Sequence, residues 1–132
     1  MKITKLQLEN YKNFSAVNIN FDSFTVIVGA NAAGKSNLIS AFRFIKNIMI
    51  LGIDNIIALE GGIKNIINSQ CEKGAPVVIS FQIDFPDNIG VLKDQSEKID
   101  LTIKSLDYYF SIVPHKKGPG YRINHDKIAN YA

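Results

Sequence analysis

The segment at residues 29–36, GANAAGKS, constrains the fold of this chain more than any other part of it. Residues 24–28 before it, FTVIV, form a continuous β-branched run that predicts a strand buried on both faces. After it, apolar residues recur at three- and four-residue spacing, which predicts a helix buried on much of its surface. These residues are Leu38, Ala41, Phe42, Phe44, Ile45, Ile48 and Met49. The succession predicts a strand, a glycine-rich turn and a helix.

The loop has the spacing of a phosphate-binding loop (P-loop): Gly, four residues, Gly, Lys and then Ser. Gly29 permits a sharp turn, and Gly34 lets the backbone approach a phosphate where a β-carbon would collide. The backbone N–H groups of the loop and the helix N-terminus then form an anion site. Lys35 supplies a positive charge for the β- and γ-phosphates and is the predicted catalytic residue, and Ser36 is the predicted metal ligand. The predicted ligands are ATP and Mg²⁺, and the loop residues that bind them are Gly29, Ala30, Asn31, Ala32, Ala33, Gly34, Lys35 and Ser36.

The alternative to a phosphate-binding loop is a structural glycine-rich turn between strand and helix, with its lysine exposed to solvent. A dinucleotide site of the Rossmann type fits poorly, because the glycines lack the GxGxxG spacing.

Length and composition favour one soluble domain. The chain has 132 residues, 46% of them apolar, and a formal net charge of +3. No apolar run approaches the roughly 20 residues that span a bilayer, and the first residues lack the apolar run of a secretory signal. The one cysteine, Cys71, excludes an internal disulfide. We therefore expect a cytoplasmic protein with no membrane partner.

Alternating and continuous apolar patterns predict the remaining elements. The first helix is expected to end at Gly52, with weaker helical segments at 54–60 and 63–68. Turn-forming residues predict loops at 69–76, 86–96 and 114–120. Strands are predicted at 3–11, 17–21, 77–85, 99–105 and 107–113, with a return strand from Tyr121. The predicted fold class is α/β, with one P-loop strand–helix unit and an antiparallel sheet.

Three segments carry a resemblance to a known family. The loop has Asn31 third and Asn37 after its serine, residues 6–14 read LQLENYKNF, and residues 120–128 read GYRINHDKI. These segments resemble the SMC, RecF and OLD-type ATPase heads, which are related to ABC ATPases. The resemblance implies an ATP-dependent head that forms a head-to-head homodimer around two nucleotides. It also adds Asn37 and Lys12 as candidate nucleotide contacts, although a solvated lysine at a strand end is an equal alternative for Lys12.

Several elements of such a head are missing from the sequence. There is no Walker B strand of apolar residues ending in an acidic pair, no LSGGQ-like signature and no convincing Q-loop. The nearest acids, Asp84 and Asp107, lack the preceding apolar run. We therefore expect residues 1–132 to be the N-terminal lobe of a longer head, whose hydrolysis needs a C-terminal lobe or partner subunit. This chain alone is expected to be inactive.

Three functions remain in competition. The first is the ATP-binding lobe of an SMC/RecF/OLD-like ATPase in DNA repair, DNA maintenance or anti-phage defence. The second is a non-catalytic interaction module that retains a structural P-loop. The third, a complete kinase-like enzyme, ranks last because no acidic magnesium ligand or lid is evident.

The residues near the end of the chain favour structural roles. Lys116, Lys117, Arg122 and Lys127 surround one hairpin, and a solvated hairpin is favoured over a contact with the phosphates of nucleic acid. Tyr108, Tyr109, Phe110 and Tyr121 are expected in the core or in cross-strand pairs rather than stacked on bases. His115 and His125 lack a second pair of ligands, so metal binding is not expected there.

Overall fold

A computed structural model describes residues 2–30, 34–89 and 103–131, with the side chains of 87–89 and 125–131 left out. Its centre is a five-stranded antiparallel sheet with strand order β2-β1-β3-β4-β5. Two helices and a 3₁₀ turn are inserted between β2 and β3. The elements are β1 (Lys2–Tyr11), β2 (Phe14–Asn20), α1 (Lys35–Leu51), α2 (Ile53–Leu59), the 3₁₀ turn Ile63–Asn65, β3 (Val77–Ile89), β4 (Ile103–Pro114) and β5 (Tyr121–Tyr131). The predicted antiparallel sheet is confirmed.

One face of the sheet forms a single hydrophobic core with the helices. Every second residue of β1 and β3 enters it, because successive strand residues point to opposite faces. The helix α1 contributes Leu38, Ala41, Phe44, Ile45 and Ile48, which confirms most of the predicted apolar stripe. Met49, predicted to belong to it, is 56% exposed. The opposite face of the sheet is polar and includes Gln7, Ser80 and Gln82.

An irregularity in β1 explains why its alternation is imperfect in the sequence. The register with β3 shifts between Ile3 and Lys5. After this shift Leu6 and Leu8 are both fully buried, while Lys5 is exposed. A bulge of this kind inserts one residue into one strand and changes the phase of the side chains.

The prediction of a buried strand at residues 24–28 is wrong. This segment is irregular in the structure, and Phe24 and Val28 are 84% and 85% exposed. Both edges of β1 are occupied, by β2 and by β3. Within the described residues no strand pairs with the segment, so its β-branched residues lack the partner that a strand requires.

The boundaries of β3 and β4 also differ from the prediction. β3 continues through Pro86 to Ile89, where a loop was predicted. The two strands predicted around Ser105–Asp107 are one strand, because both residues pair in register with β3, opposite Asp84 and Gln82. Polar residues there interrupt the apolar pattern without interrupting the pairing. Positions 90–102 of these predictions lie outside the described residues.

The predicted end of the first helix, the helical segments after it and the return strand agree with the structure. Gly52 ends α1, and its N–H donates to the carbonyl oxygen of Ile48 at 2.9 Å. The helical segments predicted after it are α2 and the 3₁₀ turn. The return strand that begins at Tyr121 is β5.

Candidate nucleotide-binding site

The P-loop leads into the N-terminus of α1. Gly34 has φ 98° and ψ 0°, a left-handed conformation that glycine adopts without a steric penalty. Its carbonyl accepts the first helical hydrogen bond, from the N–H of Leu38 at 2.9 Å. Among the described residues no side chain caps the helix, and its first turn contains no acidic residue. The backbone donors of this turn therefore remain available to an anion.

Gly34 also makes a close contact with the β1–β2 turn. A β-carbon at this position would lie 3.0 Å from Nδ2 of Asn13 and 3.1 Å from Cε1 of Phe14. The start of α1 is thus packed against the hairpin that precedes it. Asn13 and Phe14 belong to the segment that carries the family resemblance, but the sequence does not indicate what they do. Their contact with Gly34 shows a structural role for both residues.

Lys35 lies on the loop itself. Its ammonium donates to the carbonyl oxygen of Gly29, and to that of Ala30 at 2.8 Å. Ser36 is exposed and Asn37 is half-buried in the same helical turn. The predicted contacts Asn31, Ala32 and Ala33 lie outside the described residues. The structure therefore brings Gly29, Ala30, Gly34 and the start of α1 together around the Lys35 side chain.

Lys12 is held at the end of β1 in an unusual backbone conformation. Its φ is 50°, which is uncommon for a residue other than glycine. Its N–H donates to the carbonyl oxygen of Ile66 at 2.7 Å, and its ammonium donates to Oγ of Ser40 at 2.6 Å. The ammonium also pairs with Glu60 at 3.2 Å, with 19% of the Lys12 side chain exposed. These contacts fix the lysine beside the second turn of α1.

A polar pocket of about 440 Å³ connects Lys12 with the first turn of α1. The sequence connected Lys12 and Asn37 with the nucleotide only through the family resemblance, and the structure places both in this one pocket. The other lining residues come from separate segments, so their spacing in the sequence gave no signal. They are Asn13, Glu60, Asn65, Asn68, Ser69 and Gln70.

The side chain of Tyr11 supports this region from within the core. Its ring lies 5.8 Å from that of Phe44, and the residue is fully buried. Burial raises the pKa of the Tyr11 hydroxyl to about 12, because the phenolate would lose its hydration. The Tyr11 hydroxyl therefore stays neutral at physiological pH, and the Lys12 ammonium lies 5.6 Å from the centroid of its ring.

Ser36, at the start of α1, offers a hydroxyl oxygen of the kind that suits magnesium. A hard cation such as Mg²⁺ takes oxygen ligands, keeps several waters and usually also binds one or two protein carboxylates beside the phosphates of a nucleotide. Among the described residues, no group of three or more His, Cys, Asp or Glu side chains stands close enough together to hold a metal ion. None of the described helices is long and apolar enough to cross a membrane.

Tyr108 and Phe110 of β4 pack as predicted. Tyr108 lies 5.2 Å from Phe81 and 5.7 Å from Phe110, measured between ring centroids, and Phe110 is fully buried. Tyr109 is 37% exposed and faces away from this core. The prediction of core and cross-strand roles is therefore confirmed for Tyr108 and Phe110.

The fold agrees with comparisons with known proteins. The family described as "AAA ATPase domain" matches residues 1–131, and the chain belongs to this family. Endonuclease GajA of Bacillus cereus (strain VD045) is 44% identical over 45 residues, which are 34% of this chain and 8% of GajA. The DNA replication and repair protein RecF of Bacillus cytotoxicus is 48% identical over 42 residues, or 31% of this chain and 11% of RecF. The chromosome partition protein Smc of Halothermothrix orenii is 45% identical over 47 residues, or 34% of this chain and 4% of Smc.

A solved structure supports the fold over a longer stretch. It comes from work on the "ATP-driven dimerization and DNA stimulated activation of SMC ATPases" and superposes with a TM-score of 0.50 at 23% identity. The match covers 94% of this chain and 70% of that one. The resemblance to SMC, RecF and OLD-type heads and the P-loop fold class of the ABC/SMC type are confirmed. The matched segments are only 4% to 11% of the lengths of the three relatives named above.

Proposed function

We propose that this chain binds Mg-ATP as the N-terminal lobe of an SMC/RecF/OLD-like ATPase head. The observation that carries the proposal is the P-loop itself, where an uncapped helix N-terminus follows a left-handed Gly34. Lys35 folds its ammonium over the same loop. Backbone donors at a helix N-terminus and the positive charge of Lys35 at one point suit a polyphosphate.

The roles of the loop residues are proposed from the P-loop motif together with the placement of Gly34 and Lys35. The backbone of residues 29–34 surrounds the phosphates, and Lys35 exchanges its carbonyl partners for phosphate oxygens, which carry full charge and so form stronger hydrogen bonds. Ser36 would hold Mg²⁺ through its hydroxyl, and the ion would supply positive charge that offsets the charge of the phosphates. Asn37 lies on the same turn and faces the polar pocket next to Lys12.

The polar pocket is the proposed place for the nucleoside. Its side-chain amides and hydroxyl offer both donors and acceptors, which suits a ribose and the edge of a base. Lys12 stands at its wall, where the ammonium exchanges Glu60 for an oxygen of the nucleotide. The left-handed φ of Lys12 supports a functional role, because strain of this kind persists where the surrounding structure maintains it.

We further propose that hydrolysis of ATP needs residues that are not part of this chain. The acidic residues most similar to a Walker B acid in the sequence are Asp84 and Asp107. Both lie within strands, β3 and β4, and Asp107 lines the polar face of the sheet. An acidic residue that holds magnesium would then come from a C-terminal lobe or partner subunit. The exposed segment 24–28 supports such a partner, since Phe24, Val26 and Val28 are 84%, 64% and 85% exposed. This exposed, irregular segment before the P-loop offers apolar side chains to a second domain or partner.

The wider role is proposed from relatives and from the family resemblance. RecF is named for DNA replication and repair, Smc for chromosome partition and GajA as an endonuclease. The solved SMC ATPase is described by ATP-driven dimerization and stimulation by DNA. We therefore place this chain in a cytoplasmic ATPase that forms a head-to-head homodimer and acts in DNA repair, DNA maintenance or anti-phage defence.

Thermal unfolding with and without about 1 mM Mg-ATP tests the nucleotide site. A ligand at 100 times its dissociation constant adds roughly 2.7 kcal/mol to the free energy of unfolding, which shifts the melting temperature by several degrees. The shift should disappear in Lys35→Ala and persist in Lys46→Ala, which removes an exposed lysine roughly 16 Å further along α1. Equal shifts in all three proteins would contradict the proposed site.

The alternative is a non-catalytic interaction module that keeps the P-loop for structural reasons. The exposed segment 24–28 favours it, because a surface for another protein needs no nucleotide. This alternative predicts no Mg-ATP shift in the wild-type protein. It also predicts that Lys35→Ala lowers thermal stability by itself, since the contacts of Lys35 with the loop would then be structural.

A further inference from the structure

An open groove of about 470 Å³ lies where the tip of the β4–β5 hairpin meets the 3₁₀ turn and the loop before β3. Each of the three segments contributes one lysine to its rim, namely Lys64, Lys73 and Lys116. All three are exposed, and none of them forms an ion pair among the described side chains. Glu72 precedes Lys73 in the sequence, but the described lining contains no acidic residue. The rim therefore carries positive charge that its own lining does not offset.

The least exposed residues of the lining are apolar and form the floor of the groove. Ile63 and Pro114 are buried and Ile67 is half-buried, while Pro119 is an exposed apolar wall at the hairpin tip. A surface with an apolar centre and a polar rim has the composition of a protein interface. The backbone of a nucleic acid offers phosphates and sugars, and would leave this floor without an apolar contact. The described lining also lacks Phe and Tyr side chains on which a base could stack.

Contacts between and within the segments hold the groove open in a defined shape. The stem of Lys116 packs over Gly74, where a β-carbon would come within 2.9 Å of Cγ of Lys116. The N–H of His115 donates to the carbonyl oxygen of Gly120 at 2.8 Å, which closes the hairpin tip. A groove that is already formed loses less conformational entropy when a partner binds. The charges of the rim and the apolar floor are therefore presented together at a fixed place.

We propose that this groove binds a segment of a partner protein in which an apolar side chain stands between acidic residues. The apolar side chain packs on the floor, and the carboxylates pair with the ammonium groups of the rim. The groove shares no described lining residue with the polar pocket beside Lys12 and contains none of the P-loop residues. Binding of the segment and binding of ATP are therefore tested separately.

Selection from a random peptide library displayed on phage, with the wild-type chain as target, tests the proposal. The enriched peptides should share acidic residues on both sides of an apolar one. A labelled enriched peptide, followed by fluorescence anisotropy, should bind the combined variant Lys64→Gln, Lys73→Gln and Lys116→Gln about tenfold more weakly at low salt. Raising the salt from about 50 to about 500 mM should weaken wild-type binding more than binding by this groove variant, because the variant lacks the ammonium groups that salt screens.

Two further variants separate charge from apolar contact. The combined variant Lys5→Gln, Lys46→Gln and Lys104→Gln removes the same charge from exposed lysines elsewhere, and should bind the peptide as the wild type does. Pro119→Ser removes the apolar wall and should weaken binding about threefold without changing its salt dependence. Thermal unfolding of each variant checks that the fold is retained.

Several results would overturn the proposal. They are a failure to enrich any peptide on the wild-type chain, enriched peptides without acidic residues, and equal losses of binding in the groove variant and its charge control. Tighter binding of a DNA duplex than of the enriched peptides, lost in the groove variant, would assign the groove to nucleic acid instead. Lys35→Ala should bind the peptides normally and the groove variant should keep its Mg-ATP shift, so failure here is distinct from failure at the P-loop.

Discussion

Phe14 lies directly against Gly34, so that a β-carbon on Gly34 would stand 3.1 Å from Cε1 of the Phe14 ring. This contact joins the turn after β1 to the residue that precedes α1. The backbone of Gly34 is left-handed at the same point, so two independent constraints exclude a side chain there. The hairpin and the P-loop therefore form one structural unit, although Phe14 and Gly34 are 20 positions apart in the sequence.

Gly34→Ala should destabilise the protein and abolish Mg-ATP binding. The β-carbon adds about 1 kcal/mol or more for the left-handed backbone and a further cost for displacing Asn13 and Phe14. Gly118→Ala is the matched control, because Gly118 has φ 88° with nothing within 4 Å of the β-carbon position. Denaturant unfolding of both variants measures the difference. Equal losses of stability would mean that the contact with Phe14 does not constrain position 34.

Lys12 should contribute to nucleotide binding through its charge. Lys12→Asn keeps a residue that tolerates a left-handed backbone but removes the ammonium, so it should weaken Mg-ATP binding about tenfold. Glu60→Gln removes the present partner of Lys12 and should leave binding unchanged or slightly stronger. Equilibrium titration of both variants with Mg-ATP separates these outcomes. Weaker binding in Glu60→Gln with normal binding in Lys12→Asn would reverse the proposed roles.

The exposed segment before the P-loop should contribute little to the stability of this chain. Val28 is 85% exposed, so Val28→Ser should change the free energy of unfolding by less than about 0.5 kcal/mol. The same substitution at Val77, which is fully buried in β3, should cost about 2–4 kcal/mol. Denaturant unfolding compares the two. A loss of several kcal/mol in Val28→Ser would mean that the segment is packed as a strand after all.

That segment also shows where sequence patterns reach their limit. Residues 24–28 have strong local strand propensity, and the strands β1 and β3 with similar composition were predicted within a few residues. A strand also requires a neighbour with free backbone groups, which local composition does not encode. The same reasoning explains β4, where Ser105 and Asp107 broke the predicted pattern although their backbone pairs with β3.

The candidate site was predictable only in its contiguous part. Residues 29–36 form one motif, so spacing alone assigned their proposed roles. Glu60 and Asn68 reach the pocket beside Lys12 because the chain folds back after α2, and this return has no signature in sequence spacing. The N–H of Asn68 donates to the carbonyl oxygen of Asn10 at 2.8 Å, one of the contacts that create the pocket. Lys64 and Lys73 became neighbours of the hairpin through the same return.

Tyr121 should make stability depend on pH in the alkaline range. Its hydroxyl donates to Oδ1 of Asp54 at 2.5 Å, and this hydrogen bond raises the pKa of Tyr121 from 10.0 to about 12. A pKa raised on folding adds stability that is complete below pH 10 and is lost as pH rises towards about 12. Tyr121→Phe should therefore show a shallower loss of stability over this range. Burial also raises the pKa of Tyr11 to about 12. Part of the alkaline loss of stability should therefore remain in Tyr121→Phe.

Urea unfolding at a series of pH values from neutral to alkaline measures this effect. Asp54→Asn is the companion variant, because it keeps an acceptor and removes the charge that repels the phenolate. Identical pH profiles for wild type and Tyr121→Phe would show that the contact with Asp54 does not control the titration of Tyr121.

Calorimetric titration of the chain with ATP, in the presence and absence of Mg²⁺, tests the central claim most directly. The proposed site predicts saturable binding at one nucleotide per chain, strengthened by Mg²⁺, lost in Lys35→Ala and retained in Lys46→Ala. Binding that survives in Lys35→Ala, or a complete absence of binding by the wild-type chain, would contradict the assignment of residues 29–37 as a working nucleotide site.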